Sequence, residues 1–199
     1  MSEKIRIGFM GSAFRGKEIP EDLAKRSRET GREIAKQGCV LVTGACMGLP
    51  YEASLGALEC GGAVTWWSPA LDKIQHVAPY PTEPEPEKGW GGHDGYEYPE
   101  PLAGIIVHYT GLGRTGRIVP CINNCDGVIF AAGHKGTLHE FAATLQMNKV
   151  MGILDMTFGI SRYLPAIANY AEADDAVIIK AFHPDYLVKK VIQKIKERR

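Results

Sequence analysis

Short apolar or β-branched runs recur along this chain between longer stretches of helical periodicity, and that alternation is the signature of a parallel sheet covered by helices. The runs fall at 5–10, 39–43, 63–67, 104–108, 127–132, 150–154 and 176–181. Strands buried on both faces read as unbroken apolar stretches, as Val128-Ile129-Phe130-Ala131 does. The expected fold class is α/β: a doubly wound, mainly parallel sheet of about seven strands with helices on both faces, formed by a single domain over residues 1–199. A chain of this length buries roughly 70% of its unfolded surface, so neither disulfides nor a structural metal is needed for a core.

Helix punctuation supports this reading. The stretch 20–37 opens on Pro20, Glu21 and Asp22 and stops at Gly38. Leu138, Phe141, Ala142 and Leu145 give the helix after the fifth strand one apolar face, and Val188, Val191, Ile192 and Ile195 do the same for the last helix. The polar side of that last helix carries Lys189, Lys190, Lys194, Lys196, Arg198 and Arg199, most simply a solvated face at a favourable helix end. One segment breaks the rhythm. Residues 79–101 hold six of the twelve prolines, four glycines and four aromatics (Tyr80, Trp90, Tyr96, Tyr98), and no aliphatic core residue. Its aromatics favour a lid or an oligomer contact over a purely solvated loop.

Charge and cysteine usage narrow the partners. Lys plus Arg and Asp plus Glu both number 23, so there is no global positive field to hold a nucleic acid backbone, and nucleic acid is not an expected partner. Five cysteines without a C-x-x-C pair fit a reducing, cytoplasmic setting. Cys121 and Cys125 share a helical face but lack the further ligands of a zinc site, so they are read as core thiols, as are Cys39 and Cys60. No secretory signal pattern and no run of membrane-spanning length is visible, so no membrane association is expected.

In an open parallel sheet, ligands bind beyond the carboxyl ends of the strands, where loops expose backbone N–H groups and helix N-termini. Three glycine loops fall on that edge: Gly11-Ser12 after the first strand, Gly44 to Gly48 after the second, and Gly133-His134-Lys135-Gly136-Thr137 after the fifth. Neither a G-x-G-x-x-G fingerprint nor a P-loop is present. The third loop is the most informative. Gly136 and Thr137 open a helix, so their amides and the Thr137 hydroxyl suit an anion, phosphate above all. Glu140 follows three residues later, on the same side of the first turn, where it either complements the helix dipole or faces the bound group. His108, ending the fourth strand on this edge, is read as structural rather than ligand-binding, and Cys46 has no neighbouring base to activate it.

The block Arg117, Asp126, Gly133-x-x-Gly136-Thr137-x-x-Glu140 resembles the signature of the LONELY GUY (LOG) proteins, Rossmann-like nucleotide-binding proteins formerly labelled "possible lysine decarboxylase". Their motif runs R-K, then an Asp opening a strand, then P-G-G-x-G-T-x-x-E. Gly44-x-x-x-Gly48-Leu49 and Gly11-Ser12 are similar to the family's earlier loops. The resemblance implies a Rossmann-like fold, commonly a homodimer, that hydrolyses the N-glycosidic bond of a nucleoside 5′-monophosphate to free base and ribose 5-phosphate. It implies Glu140 and Arg117 as the catalytic pair, and Gly11, Ser12, Gly44, Gly48, Gly133, His134, Lys135, Gly136 and Thr137 as the nucleotide and phosphate site. No metal and no cofactor are implied, and nothing singles out a lysine for a pyridoxal phosphate Schiff base.

The residue types suit that chemistry: a carboxylate near the anomeric carbon stabilises an oxocarbenium-like sugar and positions water. This chain departs from the motif at two places, with Ala132-Gly133-His134 where the family has P-G-G and Ile118 where it has Lys. Pro120 fits only the first turn of a helix and so places Arg117 at or just outside its start. A second reading stays open: a carrier or sensor that binds a nucleotide or the molybdenum cofactor without turnover.

Overall fold

A computed structural model describes residues 3–13, 19–78, 98–156 and 158–199. The greater part of the 79–101 segment, with Tyr80, Trp90 and Tyr96, lies outside the described residues.

Seven strands form one sheet: β1 (Arg6–Gly11), β2 (Val40–Thr43), β3 (Ala63–Ser68), β4 (Ile105–Tyr109), β5 (Gly127–Ala131), β6 (Val150–Leu154) and β7 (Ile178–Ala181). Their order is β4-β3-β2-β1-β5-β6-β7, and every pairing is parallel. The chain moves outward from β1 to one edge and then restarts beside β1 with β5, so the order reverses between these two strands. Gly11 is paired with Ala131 at the carboxyl end of that switch point, the position where this class of sheet leaves a crevice for ligands.

The intervening helices are α1 (Glu21–Lys36), α2 (Leu49–Glu59), α3 (Lys73–Val77), α4 (Gly113–Gly116), α5 (Ile118–Asn123), α6 (Lys135–Gln146), α7 (Leu164–Tyr170) and α8 (Pro184–Arg198). Alternating side chains divide the apolar core between the sheet faces, because successive strand residues point to opposite sides. Ile7 and Phe9 join Leu41, Trp66, Leu187 and Val191 in one cluster. Met10 joins Val42, Phe130, Ile122, Phe141 and Leu164 in the other.

The helix faces follow the expected periodicity with one difference. In α8 the residues Val188, Val191, Ile192 and Ile195 are buried, joined by Leu187. In α6 the buried stripe is Thr137, Phe141 and Thr144, and Ala142 is exposed. The stripe runs one residue earlier than the apolar pattern suggests because Thr137 is drawn under the loop at its own N-terminus. Thr144 satisfies its hydroxyl on the Glu140 carbonyl at 2.7 Å. The basic end of α8 is also more than a solvated face: Arg198 donates to the carbonyls of Asn148 and Asp175, and Arg199 pairs with Asp126 at 2.8 Å. Cys60, expected in the core, is exposed, because it caps α2 at the turn into Gly61 and Gly62. Cys39, Cys121 and Cys125 are buried as expected.

Candidate functional site

A cleft of about 260 Å³ opens over the carboxyl ends of β1, β2 and β5. Of the residues singled out in the sequence, Gly11, Ser12, Arg117, His134, Lys135, Gly136, Thr137 and Glu140 line it. Gly44, Gly48 and Gly133 do not; they shape it from behind. Ala13, Cys46, Arg114, Thr115, Ile118 and His139 complete the wall.

The floor is the start of α6. Its first backbone bond runs from the Leu138 N–H to the His134 carbonyl, 3.0 Å, so the amides of Lys135, Gly136 and Thr137 have no helical acceptor and carry the positive end of the helix dipole. Beside Gly136 there is open space, since a β-carbon there would meet nothing within 4 Å. Ser12 and Thr137 are only 4% and 3% exposed, and both line the cleft, where a hydroxyl can meet a ligand or water.

Two loop contacts hold this floor in place. Gly133 has φ +81° and passes so close to Thr137 that a β-carbon would fall 2.1 Å from its Oγ1. The stretch after β6 braces the turn from outside, with Ile160 N–H on the Gly133 carbonyl and Ser161 N–H on the Ala132 carbonyl, both 2.9 Å. Ala132 itself sits at φ +52°, in the left-handed region that a proline ring forbids. The departure from P-G-G is therefore conformational as well as chemical at this position. On the β1 side, Leu49 N–H donates to the Ser12 carbonyl at 2.9 Å, across Gly48, which has φ +83°.

Arg117 lies between α4 and α5, as the position of Pro120 in the first turn of α5 requires. It is 4% exposed. Its Nη1 donates to the Trp67 carbonyl at the end of β3, 2.7 Å, and its guanidinium lies against Gly44, where a β-carbon would come within 2.5 Å of Nη1. Burial works against its charge, yet Tyr98, Cys46, Cys121 and Glu140 more than compensate and hold its pKa above the ordinary value. Ile118, which replaces the family's lysine, is 5% exposed and packs into the second core cluster.

Glu140 projects into the cleft from the second turn of α6. Burial pushes its carboxyl up to about 7, against the opposing pull of Arg117 and Arg114. Cys46 stands nearby: burial raises its thiol pKa, and Arg117 draws it back. The cleft thus combines an anion cradle, a carboxylate poised near neutral pH and an arginine behind it, a combination characteristic of functional sites.

The remaining candidate sits apart. His108 stacks on Trp67, ring centroids 4.6 Å apart, and does not line the cleft. His139, adjacent to Glu140, does line it. Its signal in the sequence was only that adjacency, and Arg114 was signalled only by lying one helical turn before Arg117. Among the described residues no group of three or more His, Cys, Asp or Glu could hold a metal ion, and no helix is long and apolar enough to cross a membrane.

Known structures share this architecture. The molybdenum cofactor binding protein from Rippkaea orientalis matches at 24% identity over 98% of this chain and 99% of that one, with a TM-score of 0.71. The molybdenum cofactor carrier protein from Chlamydomonas reinhardtii matches at 22% identity over 96% and 98%, TM-score 0.67. DNA processing protein A from Helicobacter pylori, described for its single-stranded DNA binding mode, matches at 17% identity over 96% and 81%, TM-score 0.59. No curated protein matches the chain. These likenesses establish the fold. The SLOG cluster4 family matches residues 4–188, and the chain belongs to that family, within the LOG and SLOG group of Rossmann-like proteins.

Proposed function

We propose that the cleft binds a nucleoside 5′-monophosphate and hydrolyses its N-glycosidic bond to give free base and ribose 5-phosphate. The phosphate rests on the amides of Lys135, Gly136 and Thr137 and on the hydroxyls of Ser12 and Thr137. The observation that carries the reading is Glu140, a carboxylate in the same cleft as the cradle, raised to about 7 by burial. An anchored phosphate acts as a handle that turns the sugar toward this carboxylate.

As the C1′–N bond lengthens, the sugar becomes cationic, and Glu140 stabilises it and takes the proton of the attacking water. The departing base carries away the bonding pair and takes up a proton from solvent. The cationic transition state favours the ionised form of Glu140, and a carboxylate raised toward neutral pH is the stronger base toward the attacking water. Arg117 acts as a positioning residue in this reading: buried in the cleft wall and engaged with Trp67, it keeps Glu140 ionisable.

Incubation with a panel of nucleoside monophosphates, assayed for ribose 5-phosphate, tests the proposal directly. Release from at least one supports it, and no release from any, combined with tight ligand retention, favours the second reading. That reading is a carrier that binds a phosphorylated ligand without turnover. The likeness to molybdenum cofactor proteins over nearly the whole of both chains supports it, as does the buried Ile118 in place of the family's lysine. The α6 cradle fits the phosphate of such a cofactor. The exposed apolar side chains Ile106, Leu112 and Val119 support a homo-oligomer, which light scattering would test.

A further inference from the structure

With the phosphate on the α6 amides and the sugar at Glu140, about one helical turn further along, the base is left with the rest of the cleft wall. Beyond Gly11-Ser12, the 134–137 loop, Arg117 and Glu140, the described lining consists of Ala13, Cys46, Ile118, Arg114, Thr115 and His139. Only the last three present nitrogen or oxygen groups from their side chains, and among them only Arg114 carries a permanent charge. It reaches the cleft from α4, a different element from the one that forms the cradle.

Backbone bonds peg the loop that carries Arg114 to the loop after β3. Thr110 N–H donates to the Ser68 carbonyl at 3.0 Å, Gly111 N–H to that of Ala70 at 2.9 Å and Gly113 N–H to that of Pro69 at 3.1 Å. The Thr110 hydroxyl adds a second bond to the Ser68 carbonyl, 2.8 Å. The following turn closes with Arg117 N–H on the Gly113 carbonyl at 3.1 Å. Arg114 therefore stands on a fixed backbone, within electrostatic reach of Glu140: burial raises that carboxyl, and Arg117 and Arg114 draw it back. A guanidinium has five N–H donors, enough to serve a ligand alongside contacts within the protein.

When the C1′–N bond of AMP breaks, the bonding pair passes to the adenine nitrogen, and the base is negative until solvent supplies a proton. We propose that Arg114 is a catalytic residue that contacts the departing base and stabilises the negative charge developing on it, so that the substrates are nucleoside 5′-monophosphates whose base leaves as an anion. The inference rests on the hydrolase reading above. Water adds its oxygen to C1′ and gives its proton to Glu140, so Glu140 and Arg114 act on the two opposite charges of one transition state, the cationic sugar and the anionic base. Nicotinamide mononucleotide supplies the contrast. Its base is a cation before the bond breaks and leaves neutral, so Arg114 has no negative charge to stabilise and repels the bound ring.

The test compares AMP and nicotinamide mononucleotide as substrates of wild type, Arg114→Met and Arg114→Lys, with ribose 5-phosphate release as the readout. Wild type is expected to prefer AMP. Arg114→Met is expected to lower kcat for AMP by about 100-fold, the usual loss on removing one transition-state donor. The ratio of kcat/KM for AMP to that for nicotinamide mononucleotide should fall with it, by at least about 30-fold. Arg114→Lys keeps the charge and is expected to recover most of that ratio. If Arg114 acted only through Glu140, both substrates would slow alike, because both need the carboxylate. An unchanged ratio in Arg114→Met would therefore overturn the inference, as would a ratio equally low in Arg114→Lys. Release by wild type from neither substrate would remove the hydrolase reading and the inference together, whereas release from AMP with an unchanged ratio in Arg114→Met would remove the role of Arg114 alone.

Discussion

A β-carbon at position 44 would lie 2.5 Å from Nη1 of Arg117, so the glycine after β2 is what allows the guanidinium to lie under the cleft. Gly44→Ala must displace either the loop or the arginine. A cost of about 1–3 kcal/mol is expected from overpacking, read by urea denaturation, together with loss of the arginine's pull on Glu140. Gly136→Ala is the control, because its β-carbon meets nothing within 4 Å. Equal stability of the two variants would show that Arg117 does not need the space.

Glu140→Gln retains the shape of the side chain and removes its charge. Ribose 5-phosphate release is expected to vanish, while AMP affinity measured by calorimetry stays within about threefold, since the phosphate cradle contributes most of the binding. Undiminished release would remove Glu140 from the mechanism.

The same carboxylate predicts a pH dependence of stability. Its folded pKa of about 7 lies above the ordinary 4.5, so between these values the folded chain holds a proton that the unfolded chain has released. Stability from this group therefore falls as pH rises through that window, by up to about 3 kcal/mol once pH exceeds 7. Glu140→Gln is expected to be more stable than wild type at pH 8 and indistinguishable from it at pH 4. Thermal melts at the two pH values check this, and equal gains at both would contradict it.

Ala132 occupies φ +52°. Ala132→Pro would bring the turn closer to the LOG motif, yet the ring cannot adopt that backbone. A loss of at least about 3 kcal/mol is expected, measured by denaturation. A stable variant with intact phosphate binding would mean that the turn rearranges freely.

The sheet was legible because its central strands are apolar on both faces, as Val128 to Ala131 and Val150 to Leu154 are. The α6 cradle was legible for a related reason: Gly136 and Thr137 must open a helix for Glu140 to fall on its first turns. The roles of the other glycines were not. Gly44 and Gly48 read as ligand loops, but their need for glycine arises from Arg117 and from Ser12 and Ala13, residues distant in sequence. Likewise Cys46 and Arg114 reach the cleft only through the packing of the loops after β2 and β4.

The central claim is geometric, and a crystal structure with AMP tests it most directly. The account predicts phosphate oxygens within hydrogen-bonding range of the Lys135, Gly136 and Thr137 amides, with the Glu140 carboxylate facing C1′ of the ribose. A nucleotide bound elsewhere, or one held in the cradle with its sugar turned away from Glu140, would contradict it.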